Sequence, residues 1–371
     1  MIIFALSLIA SMTISLFPVF AGTADQNTYN RYMRTGLEQM KSGDFEKARD
    51  SFEQALDYDD TTSNGHLNLG IAYYRLRDDR HAEWELNRAL EINPKEVMAY
   101  AFLGELYYRK DDLETAASYL EKAVALNTSS TSLRARLDRI RREQKAEKDF
   151  NRDITGHFLT KYEGRQKIET GRIVLRILED AYSDVGRELI YYPDLEIQVI
   201  LYSGQQFKEV TDAPGWSGGL YDGKIRLPIG GITKESPGLR KLLYHEYTHA
   251  VVRAITPRCP TWLNEGLAQY FEGRQIDSHQ KQILQKIVRA GKVPSLKKLE
   301  GSFTGLASNQ AHNAYLISLS AVRYLIDSYG IFRVKGILDE LARGADIGNS
   351  LSRAIGISSE EFERGWKMSL E

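Results

Sequence analysis

The sequence predicts a multidomain chain in which an all-α array of helical repeats precedes an α+β domain with a helical C-terminal part. Three observations predict it. At 371 residues the chain is too long for one ordinary core. Small residues recur with a period of 34 in its first third. From about Ile154, short strand-like runs alternate with helical stretches. Charge is nearly balanced, 49 Lys and Arg against 50 Asp and Glu, so the chain as a whole gives no electrostatic reason to expect nucleic acid or an anionic membrane as partner. Cys259 is the single cysteine. It excludes an intramolecular disulfide and every cysteine-rich metal site, so a metal here has to use His and carboxylates.

In chain order, Ile2 to Phe20 form an apolar run followed by the small residues Ala21, Gly22 and Ala24. This reads as a secretory signal peptide over residues 1–24, placing the rest in the periplasm or outside the cell. The alternatives are an uncleaved membrane anchor over residues 2–20 and a buried core helix.

Residues 29–128 carry the repeats. Gly36, Gly70 and Gly104 are 34 apart, as are Ala48, Ala82 and Ala116, and Ala55, Ala89 and Ala123. Phe52, Leu86 and Leu120 hold a large apolar position in the same register, Tyr73 and Tyr107 recur in the last two copies, and Pro94 closes the second. Each unit is predicted to be a helical hairpin whose backbones approach at Gly and Ala, with the large residue filling the groove against the next hairpin. The pattern resembles the tetratricopeptide repeat, with three copies and Gln39 in place of the first aromatic. Such arrays either present a surface to a polypeptide or hold a neighbouring domain. Residues 129–153 read as a capping helix and linker, with Leu133, Leu137 and Ile140 its sparse apolar side chains and Arg141 and Arg142 on a wet face.

Within residues 154–371, strands are expected at His157 to Tyr162 and Leu195 to Tyr202, and a helix at Glu169 to Leu189. The glycine-rich turn at Gly218 to Gly223 precedes a strand at Lys224 to Leu227, read as a possible sheet edge, and a helix begins near Pro237. That helix carries His245, Glu246, Tyr247, Thr248 and His249, an H-E-x-x-H arrangement. Residues four apart share a helix face, so both imidazoles can reach one ion at about 2.0–2.1 Å, while Glu246, one residue round, can address a metal-bound water.

Beyond a turn at Pro257 to Pro260 lies a second helical segment, Trp262, Leu263, Asn264, Glu265, Gly266, Leu267, Ala268, Gln269 and Tyr270. With it the chain resembles the gluzincin metallopeptidases, and the segment around Glu265 is similar to that bearing the third zinc ligand in aminopeptidase N relatives. Together with the repeats, the chain most resembles the bacterial peptidase MA-like proteins. The resemblance implies one zinc ion on His245, His249 and Glu265, with Glu246 as general base. It extends to no segment for a substrate's amino terminus. Where thermolysin-like relatives place an acid one turn after the third ligand to orient a histidine, this chain has Gln269, whose carbonyl can accept an imidazole N–H. The helical pattern around His312, Tyr315 and Leu316 resembles the family's following segment. Tyr315 is the candidate oxyanion donor, or else a packed core tyrosine, and His312 is the other candidate.

The expected chemistry is hydrolysis of an amide, with a polypeptide substrate or protein partner recruited by the repeats. A non-protein amide or ester is a narrower alternative. The rival of another class is a scaffold or assembly factor whose zinc domain is structural or degenerate. Against it stands Glu246, for which a closed structural site has no use.

Overall fold

The computed structural model describes residues 24–164, 168–194, 196–211, 219–229, 232–303 and 306–371. Residues 1–23 of the proposed signal segment lie outside the described residues. Among the described residues no helix is long and apolar enough to cross a membrane. The chain divides between Lys148 and Asp149 into two compact units.

The first unit is a run of antiparallel helices: α1 (Ala24–Ser42), α2 (Phe45–Leu56), α3 (Ser63–Arg75), α4 (Asp79–Ile92), α5 (Val97–Arg109), α6 (Leu113–Leu126) and α7 (Thr131–Ala146). The 34-residue period is written into its packing. A Cβ on Gly36, Gly70 or Gly104 would fall 2.4–2.9 Å from Phe52, Leu86 or Leu120 respectively, so in each hairpin the large side chain lies directly on the glycine of its partner helix. Phe52 shares its core with Leu69 and Ala72 of α3, and Leu86 with Ala99, Phe102 and Leu103 of α5, so the large residue lies against the next hairpin as well, as expected. The six periodic alanines are fully buried. Gly43, Arg77 and Asp111, also 34 apart, take positive φ at the turn inside each hairpin. Only the first copy meets that demand with the residue best suited to it. Gln39, where an aromatic was missing, accepts a hydrogen bond from Ser51, while Tyr73 and Tyr107 donate to Glu53 and Glu83 of the preceding hairpin. Leu133, Leu137 and Ile140 of α7 close the apolar end, and Arg141 pairs with Glu121 at the surface.

The second unit opens with a hairpin of β1 (Phe150–Thr155) and β2 (Phe158–Glu163). Sequence reading placed β1 in the linker, because its Asn151, Arg152 and Asp153 hide the alternation; pairing with β2, not composition, makes it a strand. Then come α8 (Ile168–Leu189), β3 (Ile197–Tyr202), α9 (Gly204–Val210), β4 (Leu220–Tyr221) and β5 (Ile225–Pro228). The sheet order is β1-β2-β3-β5-β4, with β2, β3 and β5 parallel and β4 antiparallel to β5. The strand expected as an edge, at Lys224 to Leu227, therefore lies inside the sheet, and among the described residues β4 forms that edge. Its parallel partner β3 is supplied from far away in sequence, which local patterning cannot reveal.

Phe158, Tyr162, Val199, Leu201, Ile225 and Leu227 alternate onto one sheet face. They pack against α8 and against α10 (Pro237–Ile255), which starts with Ser236 as its N-cap and Pro237 in the first turn. The helical remainder comprises α11 (Thr261–Phe271), α12 (Ser278–Arg289), a 3₁₀ turn at Leu296–Leu299, α13 (Ser308–Tyr329), α14 (Ile331–Ala342), α15 (Ile347–Ile355) and α16 (Ser359–Ser369). These share a second core around Trp262, Leu325, Phe362 and Trp366. Ser358 and Glu361 form the capping box expected at α16.

Candidate metal centre

Helix α10 has one face in the sheet-side core, through Leu243, Tyr247 and Val251, while His245 and His249 are turned toward Glu265 of the following helix. Pro257 and Pro260 end α10 and restart the chain as α11, bringing Glu265 opposite the two histidines. Helix α11 is held against α13 by close approach at Gly266, where a Cβ would lie 2.5 Å from the carbonyl oxygen of Ser318.

His245, His249 and Glu265 each offer one donor atom, and the three atoms lie within 4.8 Å of one another. Each imidazole Nε2 is 3.6 Å from Oε2 of Glu265, and the rings stand nearly perpendicular. Ligands around a tetrahedral zinc with bonds of about 2.0–2.1 Å are roughly 3.3 Å apart, close to this spacing. The Nδ1 atoms are both engaged: that of His245 with Oε2 of Glu272 at 2.8 Å, and that of His249 with Oδ1 of Asn264 at 3.0 Å. With Nδ1–H donating to those oxygens, the Nε2 lone pairs face the carboxylate. Oε2 of Glu265 is buried and has no hydrogen-bond donor. Three electron-pair donors turned toward one point call for a cation, and this donor set suits zinc.

The titration behaviour carries the same demand. Burial works against a charge on His245, but the carboxylates of Glu265 and Glu272 outweigh it and hold the group at about 10. Burial keeps His249 below its usual value. Burial also acts to raise Glu265, yet His249 and His245 hold it below the ordinary carboxylate range. Without a metal, a proton on His245 supplies the missing positive charge.

Glu246 is buried beside this cluster, and burial is the main reason its carboxyl is pushed up to about 7. The backbone N–H of Tyr221 on β4 donates to it. Gly219 keeps that approach open, since a Cβ there would sit 3.2 Å from Oε1 of Glu246 and 3.1 Å from Leu227 and Leu242. The edge strand thus adjoins the one acid in the cluster that faces no imidazole.

Tyr315, on α13, is mostly buried with its ring edge-on to Phe303. Its phenol is raised by burial and then by the charges of Glu265 and Glu246, which places it in the field of the cluster. His312 is exposed, and among the described residues no hydrogen bond or ion pair joins it to the cluster. Gln269 does not orient a histidine. Its buried amide N–H group donates to the carbonyls of Glu265 and Tyr315, tying α11 to α13. The orienting acid is Glu272, seven residues after Glu265 and on the same helix face. Sequence reading missed Glu272 and Asn264, although the i, i+7 spacing and the adjacency to Glu265 were visible.

The Peptidase MA superfamily matches residues 193–371, and the tetratricopeptide repeat matches residues 33–90 and 67–131. No curated protein matches the chain. Among solved structures, the first tetratricopeptide domain of human RPAP3 is 23% identical, covering 32% of this chain and 94% of that one with a TM-score of 0.31. The Yersinia enterocolitica type III secretion chaperone SycD, in complex with a peptide of the translocator YopD, is 22% identical over 33% of this chain and 95% of that one, also with a TM-score of 0.31. By the two family models, the chain carries tetratricopeptide repeats within residues 33–131 followed by a Peptidase MA superfamily domain over residues 193–371.

Proposed function

We propose that this chain is a zinc-dependent peptidase, acting outside the cytoplasm, whose repeats recruit or orient a polypeptide. The observation that carries the catalytic part is the undonated Oε2 of Glu265 facing two imidazole Nε2 atoms, with a second buried acid, Glu246, one residue round the helix from His245. The apolar run at residues 2–20 supports the location.

His245, His249 and Glu265 would hold the ion, and Glu272 and Asn264 fix the histidine rings so that Nε2 faces it. When bound, zinc supplies Lewis acidity, acidifying water and polarising a carbonyl. Glu246 takes the proton of the attacking water and delivers it to the leaving amine. Its buried place beside the cluster suits Glu246 to both transfers. The phenol of Tyr315 donates a hydrogen bond to the developing oxyanion. An extended substrate pairs with the β4 edge, which brings its carbonyl past Glu246. The test is cleavage of an unstructured protein by the zinc-loaded chain. Glu246→Gln is expected to abolish cleavage while leaving bound zinc unchanged; cleavage that survives this substitution would sink the reading.

A further inference from the structure

A cavity of about 560 Å³ opens in the first unit between α2 and α4, with α3 as its floor. That volume lies within the range of ligand sites, roughly 300–1,000 Å³. The repeat itself shows why the space is there. One period on, the corresponding groove between α4 and α6 is occupied by the rings of Tyr100 and Tyr119, 6.4 Å apart, and the amine of Lys122 rests on both at 5.7 and 5.3 Å. The residues 34 earlier are His66 and Glu85. They are smaller, and they are spent on each other: Nδ1 of His66 meets Oε2 of Glu85 at 2.7 Å, and its Nε2 donates to the carbonyl of Asp60. Two tyrosines' worth of packing is thereby withdrawn and a hollow remains.

Trp84 stands at the rim, 60% exposed, edge-on to His66. The other copies place Asp50 and Ser118 at its position, so the repeat's own packing has no need of an aromatic there. An exposed indole beside a hollow is a binding feature before it is a structural one. The charge of the lining selects the occupant. Glu53, Asp57, Asp60 and Glu91 face a single cation, Arg88, itself paired with Glu91. The neighbouring groove displays the same solution inside the chain, with a lysine amine seated on aromatic rings.

We propose that this groove docks a cationic segment of a protein partner, its lysine or arginine side chain lying against Trp84 among the carboxylates. This extends the recruiting role proposed for the repeats and is independent of hydrolysis by the second unit. The test uses the full chain carrying Glu246→Gln, so that a failure of cleavage says nothing about docking. The probe is a capped, fluorescein-labelled peptide with four lysines in a glycine–serine background, read by anisotropy, with a glutamate counterpart as control. The lysine peptide is expected to bind, more weakly as salt rises, and the glutamate peptide not to bind. Trp84→Ala, at an exposed position that leaves the fold intact, should weaken binding at least about tenfold. The double substitution His66→Tyr with Glu85→Tyr, which rebuilds the filled groove of the next repeat, should remove it. A lysine peptide that fails to bind at millimolar concentration overturns the proposal. So does binding that either variant leaves unchanged, or binding of both peptides alike.

Discussion

Gly266→Ala tests whether the site depends on how closely α11 can approach α13. The added Cβ would lie 2.5 Å from both the Ser318 carbonyl oxygen and a Val322 methyl, about 0.9 Å short of ordinary contact at 3.4 Å. One obstacle is backbone in the middle of a helix, so no rotamer change relieves it, and α11 has to move. Overpacking of this kind costs about 1–3 kcal/mol, or a fall in melting temperature of about 2–4 °C per kcal/mol for a unit of this size. Glu265 is the preceding residue, and it moves with the helix. A displacement of several tenths of an ångström at one of three ligands is expected to cost at least about tenfold in zinc affinity. The assay is a denaturant titration of the chelated protein together with competition for zinc against a chromophoric chelator. Gly336→Ala is the control, because its Cβ would lie 3.6 Å from Ala354, an ordinary contact. Helix propensity predicts that it stabilises by about 0.5–1 kcal/mol. If Gly266→Ala matched the parent in both stability and zinc affinity, the argument that this contact positions Glu265 would be wrong.

Other outcomes follow from the same geometry. Glu272→Ala removes the acceptor at His245 Nδ1 and should weaken zinc binding by about 10–100-fold in the chelator competition; an unchanged affinity would return the orienting role to some other group. Tyr315→Phe should keep its zinc and lose about 10²–10³ in turnover, whereas His312→Ala should lose nothing in the same peptidase assay. Glu340 is held below its usual 4.5 by hydrogen bonds from Arg353 and then Arg343. A carboxyl lowered in the folded state contributes stability that is present above about 4.5 and lost as pH falls through the lower folded value. Thermal melts of parent and Glu340→Gln should therefore differ at neutral pH and converge under acid.

The first unit was legible because each hairpin meets the same local demand with the same residue types: Gly36 and Phe52, Gly70 and Leu86, Gly104 and Leu120 meet within one hairpin, so the period appears directly in the sequence. The zinc-ligand candidates were legible for a related reason, since His245 and His249 need only one helix to share a face. What escaped was set by contacts distant in sequence. Strand β1 is polar and exists through its register with β2. The edge passed from Lys224–Leu227 to β4 because β5 is paired on both sides, by β4 and by β3 from more than twenty residues away. Gln269 and Glu272 lie on the same face of one helix, and the choice between them as histidine partner fell to the buried carbonyl of Tyr315, which claims the amide of Gln269.

The most direct test of the metal assignment is the zinc content of the purified chain, measured by atomic emission for the parent, Glu246→Gln and Glu265→Ala after equal exposure to zinc and desalting. The account predicts one zinc per chain in the parent and in Glu246→Gln, and close to none in Glu265→Ala. A parent without zinc, or a Glu265→Ala chain that retains it, would contradict the centre built from His245, His249 and Glu265.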